Sequence, residues 1–236
     1  MTKKYYLVLD TETCGSLEAP LPYDIGFLVA DRQGQIYEKH SYVCADIFCD
    51  LTEEVKTAYY AEKIPMYWND LKSGKRILKT AYNIRKIILD VMKRYKINEV
   101  VAYNADFDKR AMNNLVRWTS KSKYRFFFPY GTKFTCIWHM CCQTILNSRN
   151  YFKFATENGL VNENSGNLMT SAEACYKYVT RVCDFKESHT ALEDCEIEVV
   201  LFAKCLATKK KINREINRCC WRIPNRKFKG QKKKGM

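Results

Sequence analysis

The stretch that decides the fold is residues 5–13, YYLVLDTET, in which an apolar run ends in two acidic residues. The apolar part predicts a buried β-strand over residues 4–10. Asp10 and Glu12 are two positions apart, which places both side chains on one face of an extended chain. Carboxylates beside a buried strand are costly unless a cation lies among them, and all-oxygen clusters favour Mg²⁺ or Mn²⁺. The stretch therefore predicts a cation site, and the simpler alternative is a pair of exposed acids at a strand end.

A second apolar run is also followed by acidic residues, in VVAYNADFD. The pattern predicts a strand over Glu99–Tyr103 and a helix over Phe107–Trp118. Asp is favoured as a helix cap, so one of Asp106 and Asp108 is expected to serve local structure and the other to be a ligand. Their spacing does not decide which. Asn104 either donates a hydrogen bond to a substrate phosphate or sugar, or stabilises the turn.

The third motif, SHTALEDCEIEVV, places a histidine and an aspartate at the start of the clearest helical pattern. His189 and Asp194 are five positions apart and would not share a face of one continuous helix. Thr190 and Glu193, however, match a T-x-x-E capping box, which predicts a helix over Thr190–Thr208. The residue before such a cap meets the fourth residue of the helix, so we predict that His189 and Asp194 lie together. The alternative is an exposed histidine before an ordinary helix.

The other periodic segments complete an α/β pattern. Further strands are predicted at 24–31, 35–43 and 134–137, and further helices at 52–62, 77–95, 138–146 and 171–182. This order predicts a mixed sheet with helices on both faces. Residues 119–133 and 147–170 are polar and weakly patterned, which is typical of loops that face a substrate.

Composition excludes several classes of protein. The chain has 236 residues, of which 47% are hydrophobic, and this argues for one domain with a real core and against disorder. We predict no membrane span, because no run of about 18 apolar residues occurs. The beginning of the chain lacks a signal-peptide pattern. The twelve cysteines are therefore expected to be free thiols in a reducing cytoplasm.

The positive charge is unevenly distributed. The formal net charge is +14, and the segment from Lys209 to Met236 contributes +11 of it, which leaves +3 for residues 1–208. We therefore predict a domain over 1–208 and a basic C-terminal tail over 209–236, which is solvated or contacts phosphates.

Two further groups of residues leave their roles open. The first is an aromatic group that either stacks on bases or fills the core, with the core favoured: Phe126, Phe127, Phe128 and Tyr130. The second is a thiol and imidazole group: Cys136, His139, Cys141 and Cys142. Zinc is not favoured there, because a zinc site usually needs paired C-x₂₋₄-C ligands and no second pair is evident.

Taken together, the three motifs resemble those of the DnaQ-like 3′–5′ exonucleases with a DEDDh active site, over about residues 5–206. LDTETCG resembles the first motif, usually DTETTG, with Cys14 as a departure. AYNADFD resembles the second, commonly HNAxFD, with Tyr103 in place of His, and this alignment selects Asp108 over Asp106. HTALED fits the third motif, H-x₄-D. A stand-alone exonuclease of this size resembles those of phages and other mobile elements, which would place it in a host cytoplasm.

The resemblance implies a ribonuclease-H-like fold, with a five-stranded mixed sheet and helices on both faces. It implies that four carboxylates hold two divalent cations, Mg²⁺ or Mn²⁺: Asp10, Glu12, Asp108 and Asp194. Asp10 would bridge the two cations. His189 would be the general base. The residues expected to contact substrate are Thr13, Cys14, Gly15 and Asn104.

The activity implied is removal of nucleoside 5′-monophosphates from the 3′ end of single-stranded nucleic acid, with DNA favoured over RNA. The main alternative is a non-catalytic protein that binds nucleic acid through its basic tail. A weaker alternative is a hydrolase of small nucleotides or dinucleotides.

Overall fold

The computed structural model describes residues 3–208 and 210–228. These residues contain a six-stranded sheet in the order β4-β3-β2-β1-β5-β6. The strands are β1 (Tyr5–Cys14), β2 (Leu21–Asp31), β3 (Ile36–Cys44), β4 (Ile77–Lys79), β5 (Glu99–Ala102) and β6 (Lys133–Cys136). The helices are α1 (Ala45–Phe48), α2 (Thr52–Lys56), α3 (Ile64–Lys72), α4 (Ala81–Arg94), α5 (Ala105–Ser120), α6 (Ile137–Gln143), α7 (Arg149–Glu157), α8 (Ala172–Thr180), α9 (Ala191–Ala207) and α10 (Arg222–Phe228), with a 3₁₀ turn at Ala61–Lys63 before α3.

The sheet is mixed and is covered on both faces, as predicted. β1, β2 and β3 are antiparallel neighbours, whereas β5 and β6 are added in parallel. Leu7 and Leu9 of the central strand belong to one hydrophobic cluster and Val8 belongs to the other. All three side chains are fully buried. The continuous apolar run of β1 is therefore explained by a strand that has core on each side.

The strand count differs from the five that the resemblance implied. β4 pairs in parallel with β3 and adds a sixth strand at the edge. The helical pattern over 77–95 concealed it, because Ile77 also fits the helical spacing. Thr80 is extended and its side chain accepts a hydrogen bond from the Asn83 N–H at 3.4 Å, so the helix begins only at Ala81.

The predicted loop over 147–170 contains a helix, α7. Ser148 caps it by accepting a hydrogen bond from the Tyr151 N–H at 3.1 Å. Tyr151 and Phe154 point from this helix into the core. The helix predicted over 52–62 is also shorter than expected, since α2 ends at Lys56 and a separate helix follows at Ile64–Lys72.

The described part of the C-terminal segment packs against the domain. Arg214 Nη1 lies 3.3 Å from Glu99 Oε1, and the buried Phe228 stacks on Phe152 with ring centroids 5.0 Å apart. The remainder of the predicted tail, residues 209 and 229–236, lies outside the described residues, and the boundary at 208 stays a prediction. Within the described part of the chain, none of the helices combines the length and apolar character that a membrane span requires.

A missing side chain in β2 allows α9 to approach the sheet. Gly26 is paired with Asp10 across the β1–β2 ladder. A Cβ atom at Gly26 would lie 2.3 Å from the backbone of Ala191 and Leu192, a distance that no side chain tolerates. The first turn of α9 therefore rests on the strand pair at the level of Asp10.

Candidate functional site

Three carboxylates from opposite ends of the chain meet beside β1. Oxygen atoms of Asp10, Glu12 and Asp194 all lie within 4.8 Å of one another. Asp10 and Glu12 share a face of β1 because they are two residues apart. Asp194 comes from the first turn of α9, which packs closely on the sheet because Gly26 has no side chain. Two motifs that the sequence separates by almost the whole domain thus form one cluster.

Asp108 and Asp106 have different surroundings. Asp108 is buried at the start of α5, and its Oδ1 accepts a hydrogen bond from Thr11 Oγ1 at 2.9 Å. Its charge is among the causes that raise the pKa of Asp10, so it lies next to the cluster. Asp106 instead accepts a hydrogen bond from Arg218 Nε at 2.9 Å and pairs with Arg110. Asp106 thus stabilises surface structure, and Asp108 faces the site.

The carboxylates are held in an environment that disfavours their charge. Burial raises the pKa of Glu12 and of Asp194 to about 8, and that of Asp108 to about 7. The pKa of Asp10 is raised well above its ordinary value, first by burial and then by the charges of the neighbouring carboxylates. A bound cation would offset the free-energy cost of ionising these buried carboxylates. Because every donor atom is a carboxylate oxygen, the set fits Mg²⁺ or Mn²⁺.

This environment makes stability depend on pH. The folded-state pKa values of Glu12, Asp108 and Asp194 exceed the unfolded values near 4, so their stabilising contribution is complete below about pH 4 and is lost as pH rises to about 8. In EDTA we expect the unfolding free energy to fall by at least about 4 kcal/mol between about pH 5 and pH 8.5, the change for a single such group, or by at least about 8 °C in Tm. Mn²⁺ should reverse the loss at the higher pH.

Differential scanning calorimetry with and without Mn²⁺ measures this. The matched control is the double variant Asp10→Asn/Glu12→Gln, which should show a flatter pH dependence and little response to Mn²⁺. An equal pH dependence in the variant and the unmodified chain would contradict the assignment.

Glu198 is a fifth carboxylate beside the cluster that the sequence did not reveal. It follows Asp194 by one helical turn on α9 and is 2% exposed. Its Oε1 accepts a hydrogen bond from the Tyr103 N–H at 2.9 Å, whereas Oε2 has no hydrogen-bond partner among the described residues. Its charge also raises the pKa of Asp10. The i, i+4 spacing from Asp194 was the available signal, but the apolar face of α9 obscured it.

His189 lies in a second acidic group, with Glu173 and Glu187. One ring nitrogen of His189 and one oxygen of each glutamate all lie within 4.8 Å of one another. The ring stacks on Tyr60, with centroids 4.2 Å apart and planes 14° from parallel. Burial and the charge of Lys63 lower the pKa of His189. The imidazole is therefore neutral near pH 7 and able to accept a proton.

Thr190 is the N-cap of α9, as predicted, but the cap is made differently. The Thr190 hydroxyl donates to Glu193 Oε2 at 2.6 Å instead of accepting from a backbone N–H. The Ala191 N–H donates to Asp24 Oδ2 of β2 at 3.1 Å. Ser188 Oγ lies 3.4 Å from Asp194 Oδ1. His189, the residue between Ser188 and the cap, has a left-handed backbone (φ 49°).

A buried network fixes this start of α9 to the sheet. Asp24 is fully buried, and its Oδ2 accepts a hydrogen bond from the Tyr67 hydroxyl at 2.6 Å. Arg76 Nη1 lies 3.4 Å from the same oxygen. Lys63 Nζ donates to the backbone carbonyls of Ser188 and His189. The segment that carries His189 is thus held from both sides.

The residues predicted to contact substrate line the end of β1 and the start of α5. Thr13 is half-buried, and the Cys14 thiol is buried, which raises its pKa to about 11. Gly15 has a left-handed backbone (φ 81°). The Asn104 side chain is exposed, and its carbonyl accepts the Phe107 N–H at 2.7 Å. The turn is thus stabilised by the Asn104 backbone, which leaves its amide group available.

Within residues 3–208 and 210–228, the groups of His, Cys, Asp and Glu close enough to share a cation are the two already described. The group of Cys136, His139, Cys141 and Cys142 is not one of them. His139 Nδ1 instead lies 2.7 Å from the Glu215 carbonyl oxygen, so this histidine joins α6 to the C-terminal segment.

No family model matches this chain, and no curated protein matches it. Solved structures do. The zinc-bound complex of E. coli exonuclease I with single-stranded DNA aligns with a TM-score of 0.51 at 12% identity over 85% of this chain and 40% of that one. The same enzyme with a 5cy-dT13 oligonucleotide aligns with a TM-score of 0.51 at 11% identity over 85% and 39%.

The chain has the α/β, ribonuclease-H-like fold of these structures. It spans about two fifths of the length of the exonuclease I chains that it matches. At this identity the likeness establishes the fold, which agrees with the prediction from the sequence.

Proposed function

We propose that this protein is a metal-dependent 3′–5′ exonuclease that acts on single-stranded nucleic acid, with DNA favoured over RNA, and releases nucleoside 5′-monophosphates. The observation that carries the proposal is the cluster of Asp10, Glu12 and Asp194, with Asp108 beside it. The cluster occurs in the fold of an exonuclease whose structures contain single-stranded DNA oligonucleotides. One of these structures is a zinc-bound form, which supports the assignment of the carboxylates as cation ligands.

In the proposed mechanism, the chain supplies ligands, a base and positioning contacts. Asp10, Glu12, Asp108 and Asp194 hold two divalent cations, which when bound supply charge stabilisation for the attacking and leaving oxygens. His189 accepts a proton from the attacking water, since its lowered pKa keeps it neutral near pH 7. Tyr60 and Lys63 hold the His189 segment in place.

The substrate contacts complete the proposal. The backbone of Thr13–Gly15 lines the 3′-terminal nucleotide, and Asn104 donates a hydrogen bond to its sugar or phosphate. Glu198 fixes the end of β5 through the Tyr103 N–H, and so positions the strand that leads to Asp108. A phage or other mobile-element origin and a cytoplasmic location stay predictions.

Hydrolysis of 5′-end-labelled strands tests the function. With Mg²⁺ or Mn²⁺ we expect a ladder of products that shorten one nucleotide at a time from the 3′ end of single-stranded DNA. The same sequence as RNA should be degraded more slowly, blunt duplex DNA should resist, and EDTA should stop the reaction. Chromatography of the released material should identify nucleoside 5′-monophosphates.

Other outcomes have distinct meanings. Binding of the labelled strand without any shortening would favour the non-catalytic alternative. Faster hydrolysis of dinucleotides than of longer strands would favour a small-nucleotide hydrolase. Internal cuts, or release from the 5′ end, would contradict the proposal.

A further inference from the structure

An unusual concentration of positive charge lies on α5 and the loop after it. Residues 109–133 contain seven Lys and Arg residues and no Asp or Glu. Because residues 1–208 carry only +3 in total, the rest of that region has a net negative charge. The basic character of the domain is therefore localised in this segment.

Most of these cations lack a carboxylate partner. Arg110 pairs with Asp106. The other six form no ion pair with any carboxylate in the described ranges: Lys109, Arg117, Lys121, Lys123, Arg125 and Lys133. Lys109, Asn113 and Arg117 are spaced by four along α5, so they form one row on the helix. The row begins one residue after Asp108.

Large aromatic side chains are exposed among these cations. Tyr124 is 79% exposed, Phe126 60% and Tyr130 fully exposed. Cations already lie over several of the rings: Lys121 Nζ is 4.5 Å from the Trp118 centroid, and the Arg117 guanidinium carbon is 5.2 Å from that of Phe126. The sequence favoured a core role for the aromatic run, and the structure divides it, because only Phe127 and Phe128 are buried.

Buried contacts hold this loop in place. The Phe127 N–H donates to Asn113 Oδ1 at 2.9 Å, and Arg85 Nε donates to the Phe127 carbonyl at 2.8 Å. Arg117 Nε donates to the Arg125 carbonyl at 3.1 Å. The exposed rings are thus presented by an anchored backbone, which lowers the entropy lost when a ligand stacks on them.

Two open cavities flank the tip of the loop. One, of about 390 Å³, is lined by Lys109, Phe126 and Phe134. The other, of about 370 Å³, is lined by Lys93 and Lys96. The segment 129–132 lines both. Each cavity therefore has at least one aromatic ring and at least one lysine in its lining.

We propose that this basic–aromatic surface, formed by Lys109, Arg117, Lys121, Lys123, Arg125, Trp118, Tyr124, Phe126 and Tyr130, is a second binding site for single-stranded nucleic acid. Unpaired cations attract phosphates, and exposed rings stack on bases that are not already paired. An acidic protein has no bases for the rings, and a duplex hides its base faces. Lys109 and Lys121 are 12 positions apart, which corresponds to about 18 Å along α5 and its C-cap. The surface would thus hold the strand some nucleotides away from the 3′ end that lies at the carboxylate cluster. This placement rests on the proposed function.

Fluorescence anisotropy in EDTA tests the site, because binding is measured there without hydrolysis. The probes are labelled oligothymidylates of about 20 and about 4 nucleotides. The first exceeds the usual range of site sizes for such surfaces, and the second lies at its lower limit. Phe126→Ala/Tyr130→Ala should weaken binding of the longer probe at least about fivefold for each ring. Phe126→Trp/Tyr130→Trp should retain binding. Neither pair should alter binding of the shorter probe.

The charge on the surface is tested through salt dependence. Lys121→Gln/Lys123→Gln should reduce the slope of log affinity against log salt by about 1.4 for the longer probe. The matched control, Arg149→Gln/Lys153→Gln, removes two exposed charges from α7 and should leave the slope unchanged. Unchanged affinity and slope in the surface variants would overturn the proposal. So would equal losses for duplex DNA, or tighter binding of poly-glutamate than of oligothymidylate.

The two proposals fail separately. Release of mononucleotides from the shorter probe with Mg²⁺ reports only on the carboxylate cluster and should match the unmodified chain in all these variants. If no chain releases nucleotides but the anisotropy changes occur, the exonuclease proposal is wrong and the binding surface stands. If release is normal and the variants bind the longer probe with unchanged anisotropy, the proposal of a binding surface is wrong and the exonuclease proposal stands.

Discussion

Asp10→Asn is expected to lower the rate of nucleotide release from single-stranded DNA by at least about 10³-fold, equivalent to about 4 kcal/mol of transition-state stabilisation. Asp10 is the member of the cluster whose pKa is raised by four other carboxylates, namely Asp108, Glu198, Glu12 and Asp194. The amide keeps the size of the side chain but removes a charge and a strong cation ligand. Single-turnover release from a 5′-labelled strand at saturating Mg²⁺ measures the loss.

Two further measurements separate this loss from misfolding. Calorimetric titration with Mn²⁺ should show weaker binding by Asp10→Asn. Its Tm in EDTA should equal or exceed that of the unmodified chain, because one repelling charge is gone. The matched control is Glu196→Gln, which removes a carboxylate that pairs with Lys39 on the outer side of α9. Release by Asp10→Asn at a rate close to that of Glu196→Gln would show that Asp10 is not a ligand.

His189→Gln is expected to lower release by about 10²–10⁴-fold, the range for loss of a positioned general base. The imidazole is neutral at pH 7 because its pKa is lowered by burial and by Lys63. At saturating Mg²⁺, where bound cations keep the carboxylates ionised, release by the unmodified chain should therefore fall as pH drops below that pKa and the ring becomes protonated. In His189→Gln this acidic fall attributed to the imidazole should disappear, because glutamine does not titrate.

The pH profile of release under single-turnover conditions distinguishes the base from a residue that only supports the fold. His40→Gln is the matched control, since His40 of β3 stacks on Phe27 of β2 and takes no part in the site. It should keep both the rate and the acidic fall. If His189→Gln retained that acidic fall, another group would be the base, and Glu187 of the neighbouring acidic group would be the first candidate.

Much of the fold was predictable because the signals are local. The apolar run of β1, the turn after β2 and the start of α9 at Thr190 are each encoded within about a dozen residues. The positions of Asp10 and Glu12 on one face follow from strand geometry alone. The approach of Asp194 to them needed more than periodicity, and it was the order of the three motifs and their resemblance to a known family that suggested it.

The features that the sequence did not reveal depend on contacts between distant segments. β4 is a strand because β3 offers it an edge, although Ile77 fits the helix that follows. The cap of α9 comes from Asp24, which is 167 positions before Ala191. Glu198 joins the cluster because α9 rests on Gly26. No local pattern encodes these contacts, since each exists only after the sheet has formed.

The contact between α9 and Gly26 also sets when the cluster can form during protein synthesis. Asp10 and Asp194 are separated by 184 positions, so the site has a very high contact order. At about 5–20 residues per second, roughly 10–40 s pass between the synthesis of these two residues. A nascent chain thus has no complete set of acidic ligands until α9 has left the ribosome and docked on the sheet. The cluster therefore forms late in synthesis, long after β1 has been made.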